Sequence, residues 1–343
     1  VQTLRRGDVV FWTTRILIGG VLVLMWGGLL AALAMWVGRY KPPAPELAYM
    51  SDQDGDWDIY ALDMGSNIHA RMTIDPPTAE LTLDFIDNRY PAWSPDGQWL
   101  AYHADIYGNW DLFLMDEKGD IVRQLTDDPM DEAMPAWSPD GRRIAFHSTR
   151  AGNWDIYVIT IATGEVQRVT FYAGEDTFAV WSPDGRQMAY VSDRDGDQEI
   201  YIRTAQETEG PEALDNYTLR QVTENGVDDW SPVWSPDGQY LAYVSENPTA
   251  GYGIYVVSAA LDTEPIPLDS GVMSTEWNPT WVQTANGLAL IFVSNLNGND
   301  AIYMINMDDF TLGYSDANLV SRGLESFDGF VDSRWAPDWR PMP

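Results

Sequence analysis

The sequence predicts an all-β fold: a six-bladed β-propeller closed by strands from both ends of the chain and preceded by a single transmembrane helix. Three observations predict it. A Trp-Ser-Pro-Asp-Gly turn recurs at Trp93, Trp137, Trp181 and Trp234, with a degenerate copy at Trp281 and a truncated one at Trp335, giving spacings of 44, 44, 53, 47 and 54 residues. A unit of that length cannot bury its own apolar face and must stack on its neighbours, and it has room for the four short strands of a propeller blade. The turns are followed, in phase, by the same two apolar strands, and an uncharged apolar stretch stands ahead of the first repeat.

From the N-terminus, residues 1–15 read as a short cytoplasmic segment carrying Arg5, Arg6 and Arg15 against Asp8. The apolar stretch, residues 16–38, follows with 23 residues and no charge. As a helix rising 1.5 Å per residue it would be about 34 Å long, enough for a hydrocarbon core of roughly 30 Å. It exceeds the apolar region of a signal peptide, and Gly38-Arg39-Tyr40 offers no small-residue cleavage site, so an uncleaved anchor is expected. Positive-inside bias puts its N-terminus in the cytoplasm. After a linker over 39–46, the rest of the chain is expected in the periplasm or extracellular space, and the absence of cysteine is compatible with an oxidising compartment. Gly19-Gly20 and Gly27-Gly28 would let another helix approach closely, which predicts packing against subunits of a membrane complex.

The propeller is expected over 47–340. Leu47-Ala48-Tyr49 and Ile59-Tyr60 are the second and third strands of a blade that lacks its Trp turn, while Arg334-Trp335-Ala336-Pro337-Asp338 supplies a turn without the strands that follow it. Together the two fragments make one blade, and a ring closed this way hides the edges that an open row would expose. Each later repeat places a strand such as Leu100-Ala101-Tyr102, Ile144-Ala145-Phe146 or Leu241-Ala242-Tyr243 after its turn, then Leu112-Phe113, Ile156-Tyr157 or Ile254-Tyr255. Two-residue alternation and aromatic or β-branched enrichment identify these as strands. Pro-Asp-Gly suits the turn because Pro presets φ, Asp bonds local N–H groups and Gly accepts a positive φ. Two insertions, Ala205 to Asn216 and Asp269 to Pro279, read as exposed loops and as places for partner contact.

This repeat resembles that of the TolB family, with the resemblance running from Leu47 to Trp339. It implies a six-bladed propeller exported across the cytoplasmic membrane. The family's separate N-terminal α/β domain has no counterpart in these residues, so the resemblance is to the propeller alone. Fold does not give function, because propellers serve unrelated tasks.

Composition narrows the function. The formal charge is −32, and residues 1–41 hold five basic residues against one acid, so the remainder carries −36. Such a field repels nucleic acid and anionic headgroups and favours cationic protein surfaces or divalent ions. No Gly-x-Ser-x-Gly elbow, phosphate loop or dinucleotide fingerprint is present, and no cysteine is available as a nucleophile. His103 and His147 occupy equivalent repeat positions and His69 stands apart, a pattern that reads as strand histidines rather than a metal centre. The candidate metal residues are acids: Asp52, Asp54, Asp56 and Asp58 in one loop, and Asp193, Asp195, Asp197 and Glu199 in another, each alternating around a glycine. Hard cations such as calcium take six to eight oxygens, which such loops supply in part. No catalytic or cofactor-binding residue is assigned. The expectation is a non-catalytic, membrane-tethered interaction or scaffolding propeller, an accessory subunit on the exported face of a membrane complex. The alternatives are a ligand-sensing or solute-binding propeller and an enzyme acting on glycans or peptides.

Overall fold

The chain divides into two units, Val1–Ala44 and Pro45–Pro343. The structure, a computed structural model, describes residues 47–52, 56–63, 68–73, 86–119, 122–205, 217–247, 251–260, 263–268, 275–284, 287–295, 301–306 and 334–339, all in the second unit. The expected membrane helix over 16–38 lies outside them; among the described residues no helix is long and apolar enough to cross a membrane.

Six antiparallel sheets form the propeller. Blade 1 takes its innermost strand from Arg334–Trp339 and continues outward through Leu47–Ser51, Asp58–Asp63 and Ile68–Arg71. Blades 2, 3, 4 and 5 each use four consecutive strands, beginning with Asn88–Trp93, Glu132–Trp137, Asp176–Trp181 and Asp229–Trp234. Blade 6 begins with Glu276–Thr284 and shows three described strands. Apolar clusters fill every junction. Ala48 and Ile59 of blade 1 pack with Trp93 and Leu100 of blade 2, and the series continues around the ring. It ends where Val282, Ala289 and Ile291 of blade 6 meet Leu47 and Tyr49 of blade 1. The ring of six therefore closes, with both chain ends contributing to one blade as the sequence predicts.

The closing strand sits in a different register from the one the turn motif implied. Met50 pairs with Trp335 and Leu47 with Trp339, whereas Leu100 pairs with Trp93 and Leu241 with Trp234. Trp339, four residues further on, is thus the equivalent of the repeating Trp. Pro337 matches Pro91, Pro135, Pro232 and Pro279 of the inner strands, not the proline of the turn. The repeated element ahead of each turn is a hexapeptide ending in Trp, usually with Pro two residues earlier, and Trp335-Ala336-Pro337-Asp338 mimics the turn by coincidence.

The four well-formed turns are built alike. Ser94 donates its hydroxyl to Asp96 at 2.6 Å and accepts the Trp99 N–H at 2.9 Å, while Gly97 N–H donates to the Ser94 carbonyl at 2.8 Å. Gly97, Gly141, Gly185 and Gly238 have φ of 64°, 67°, 70° and 71°, the left-handed region that glycine enters without a Cβ clash. The antiparallel topology puts these turns on one face of the ring. The hairpins between second and third strands, and the connectors between blades, lie on the other, the hairpin face.

Candidate functional site

The inner strands line a central cavity of about 440 Å³ bounded by Trp93, Trp137 and Trp181, by inner-strand prolines, and by the backbone of five bulges. At each bulge the register shifts, between Arg89 and Ala92 in blade 2 and at the equivalent place in blades 3 to 6. A non-glycine residue there takes positive φ: Tyr90, Met134, Phe178, Ser231 and Asn278, at 50° to 54°. Each such residue costs on the order of 1–3 kcal/mol and persists only where its surroundings impose it.

The histidines explain part of that imposition. Met134 N–H donates to His103 Nδ1 at 3.1 Å and Phe178 N–H donates to His147 Nδ1 at 3.4 Å, while Tyr90 N–H meets Met50 Sδ at 3.5 Å. Each acceptor belongs to the preceding blade and satisfies a bulge donor in the next. Both rings are buried, and burial lowers them: His147 to about 3, and His103 well below the ordinary value, with the charges of His147 and Arg89 acting in the same direction. They are neutral acceptors locking adjacent blades together. His69 lies on a strand of blade 1, and the hydroxyl-terminated fourth strands give Thr73, Thr126, Thr170 and Thr223 as buried partners for the third strands.

The two acidic loops are distributed among separate partners. Asp193 accepts the Glu175 N–H at 2.8 Å, Asp195 accepts the Tyr201 hydroxyl, and Glu199 accepts the Asn225 N–H at 3.0 Å. Asp58 is buried and pairs with Arg71 at 2.5 Å, and Asp56 stands 3.9 Å from the same guanidinium. Asp52 ends the blade's second strand region, Asp197 is half-buried in its hairpin, and Asp54 falls outside the described residues. Among the described residues no group of three or more acids or histidines is placed to hold a metal ion.

What sequence reading missed is a ladder of buried acids that crosses the blade junctions beneath the hairpin face. The inner strands of blades 2 to 6 open on Asn88, Glu132, Asp176, Asp229 and Glu276, and the third strands of blades 1 to 4 open on Asp58, Asp111, Asp155 and Glu199; all are buried. Backbone bonds bring the two sets together: the N–H groups of Asn88, Glu132, Asp176 and Asp229 donate to the carbonyls of Trp57, Trp110, Trp154 and Gln198, each one residue before a third strand. Arginines neutralise some junctions. Arg71 binds Asp58, Arg150 binds Glu132, Arg168 binds Asp155 at 2.6 Å, and Arg194 binds Asp176 at 3.2 Å. At the junction of blades 4 and 5 the acids are Glu199 and Asp229, both held by Asn225: its N–H reaches Glu199 and its side-chain amide donates to Asp229 at 2.8 Å. Burial pushes Asp229 up to about 7, with the Glu199 charge adding to it against hydrogen bonds from Ser245, Thr223 and Asn225. The signal was present as an acid five residues before the repeating Trp, a spacing that acquires meaning only once that Trp is known to end a strand.

Above this ladder the hairpin face carries apolar side chains in an acidic surround. Tyr107 is 69% exposed and Phe171 65%, and Met130 and Tyr172, on the connectors that follow blades 2 and 3, are exposed as well. Asp127, Asp128, Asp195, Asp197 and Glu224 lie on the same face.

Comparison with known proteins agrees with this architecture. The model of the TolB beta propeller domain matches residues 84–209 and 132–309. TolB from Acinetobacter baumannii superposes with a TM-score of 0.65 at 20% identity, covering 88% of this chain and 68% of that one. Hydrazine synthase from Kuenenia stuttgartiensis superposes at 0.63 with 14% identity, covering 88% of this chain and 48% of that one. An oligogalacturonate lyase in complex with manganese gives 0.52 at 15% identity, covering 78% and 72%. At these identities the likeness is one of fold. A search of curated proteins finds no match.

Proposed function

Because the chain belongs to the TolB beta propeller domain family, we propose that it is a non-catalytic interaction propeller, tethered through residues 16–38 and serving as an accessory subunit on the exported face of a membrane complex. The observation that carries this reading is the hairpin face, where Tyr107 and Phe171 stand exposed among carboxylates on a ring that six packed junctions hold rigid. A partner with apolar and cationic groups fits such a face, since the aromatics supply contact area and the acids supply steering. The uncharged 23-residue stretch supports the tether, and its paired glycines support helix docking within the membrane.

The test is copurification. The full chain in mild detergent should retain stoichiometric membrane partners identified by mass spectrometry. A Tyr107→Ser, Phe171→Ser double variant should lose them without a change in melting temperature, and Gly20→Leu with Gly27→Leu should reduce association while the propeller stays folded. A monodisperse monomer under mild detergent would overturn the reading. A second reading, a solute-binding propeller, is favoured by the aromatic- and proline-lined cavity of about 440 Å³, a size in the range of small-molecule sites. Tryptophan fluorescence changes on exposure to a metabolite set, abolished by Met134→Trp, would select it over the first.

A further inference from the structure

The repeats contain an arginine receptor that is filled from within the blade in blades 3 and 4 and lacks its arginine in blade 5, as it does in blade 6, where Glu276, Ser294 and Phe292 are kept but Leu296 stands at the arginine position. In blade 4, Arg194 follows the second strand Gln187–Ser192. Its guanidinium bonds Asp176 at 3.2 Å and the Tyr190 hydroxyl at 2.9 Å, its Nε donates to the Ser192 hydroxyl at 2.9 Å, and it lies 4.3 Å from the centroid of the Tyr201 ring. In blade 3, Arg150 does the same with Glu132 and Ser148, and lies 4.9 Å from the centroid of the Tyr157 ring. Both arginines enter from the hairpin face, with side chains 19% and 21% exposed.

Blade 5 repeats every receiving group. Asp229 stands where Asp176 stands, Ser245 where Ser192 stands, and Tyr243 pairs with Tyr255 as Tyr190 pairs with Tyr201. The arginine position, four residues after the first tyrosine, is Asn247. Blade 2 shows what happens when the device is given up: the acid is Asn88 and the arginine position is Ile106, so both halves are gone. In blade 5 only the cation is gone. Asp229 is fully buried and takes hydrogen bonds from Asn225, Ser245 and Thr223, and among the described residues no arginine pairs with it. At the neighbouring third-strand acid, Glu199, Gln221 occupies the position from which Arg168 neutralises Asp155 one junction earlier. The junction of blades 3 and 4 therefore holds two acids and two arginines, and the junction of blades 4 and 5 holds two acids and neither arginine. A buried carboxylate without a counter-ion is costly, and a cation that reaches it gains what the internal arginines gain elsewhere.

Resting on the interaction role above, we propose that the blade 5 slot formed by Asp229, Ser245, Tyr243 and Tyr255 is a docking site for an arginine side chain donated by a partner polypeptide. The guanidinium is favoured over other cations because both filled copies give it a carboxylate, a serine hydroxyl and an aromatic face, and the blade 4 copy, whose Tyr190 has its equivalent in Tyr243 of blade 5, adds a tyrosine hydroxyl. The exposed Tyr252, on the strand that carries Tyr255, offers apolar contact to the residues flanking such an arginine.

The test uses the full chain in detergent with N-acetyl-L-argininamide as probe at pH 8. A concentration-dependent rise in Tm is expected. The apparent affinity should fall about ten- to a hundredfold in Asp229→Asn, since a hydrogen bond to a charged partner is lost. Asn247→Arg should raise the Tm without any probe and abolish the response to it, because the slot is then filled in cis. N-acetyl-glycinamide should give no shift. The inference is overturned if the probe has no effect on the wild-type chain, if Asp229→Asn responds equally, or if calcium chloride shifts the Tm as much as the probe and competes with it, which would mark a site for any cation. Copurification separates this inference from the broader one: partners retained by Asp229→Asn at wild-type levels would remove the arginine slot and leave the interaction role standing, whereas a probe response in a chain without partners would do the reverse.

Discussion

At the scale of single residues, Asp229 sets the pH behaviour. Its folded-state value of about 7 lies above the ordinary 3.8, so the folded protein holds this proton more tightly than the unfolded chain does. Its stabilising contribution is complete below about pH 4 and is lost as the pH rises through 7. Asp58 and Asp111, both pushed up to about 6 chiefly by burial, act in the same direction. The groups around Asp229 are Glu199, Asn225, Thr223 and Ser245, with Tyr243 alongside, and none of them brings a positive charge. The melting temperature should therefore rise as the pH falls from 8 to 5, and Asp229→Asn should flatten that slope by raising stability at pH 8 while changing little at pH 5. A Tm that rises with pH over this window, or an Asp229→Asn variant less stable than wild type at pH 8, would contradict the assignment. His147 behaves differently. Its neutral Nδ1 accepts the Phe178 N–H, so His147→Leu leaves a strained bulge without its acceptor and should cost about 1–3 kcal/mol, read by denaturant unfolding.

At the scale of elements, the inner strand is the part that sequence reading grasped least. The turns were legible because Trp-Ser-Pro-Asp-Gly is a local code: Ser, Asp and Gly each satisfy or permit a bond within five residues. The second and third strands were legible through their alternation. The inner strand is short, interrupted by a bulge and a proline, and its first residue is an acid whose role is defined by contacts with the preceding blade. Nothing in one repeat distinguishes buried Asp176 from exposed Asp184, which serves a turn eight residues later. The same limit explains the acidic loops: alternating carboxylates suggest a cation cage, yet the fold turns Asp58 and Glu199 inward and gives Asp193 a backbone partner. The Trp residues that end the inner strands differ in burial. Trp234 is 8% exposed, while Trp137 is half-buried and donates its indole N–H to the Ala92 carbonyl of blade 2 at 3.0 Å. Trp234→Ala should accordingly cost about 3–5 kcal/mol, and Trp137→Ala less, part of its cost being the inter-blade hydrogen bond. Equal losses, measured by urea unfolding, would mean that burial of the ring is not what sets the penalty.

At the scale of the whole molecule, stability depends on a single strand that arrives last. Arg334–Trp339 pairs with Leu47–Ser51, so the inner edge of blade 1 is completed by residues almost three hundred positions away in sequence. Without it the N–H and C=O groups of that edge have no partners, and Leu47 and Tyr49, buried against Val282, Ala289 and Ile291 of blade 6, belong to a sheet of three strands. Contacts of such separation carry a large loop-closure cost before they return any stabilisation, which makes closure a late event in folding. An unclosed ring also offers a ready template for pairing with another chain. Removing residues 334–343 should therefore do more than lower the melting temperature. The truncated chain should form oligomers on size exclusion and be cut by protease in the strands of blade 1, while blades 3 and 4, whose neighbours on both sides remain, keep their protection from hydrogen exchange longest. Adding back a synthetic peptide of residues 330–343 should restore the monomeric elution and the protease resistance, because the strand contributes through pairing and not through connectivity. A truncated chain that stays monomeric and resistant would show that the other junctions suffice, and that the ring is held by blade packing rather than by its closing strand.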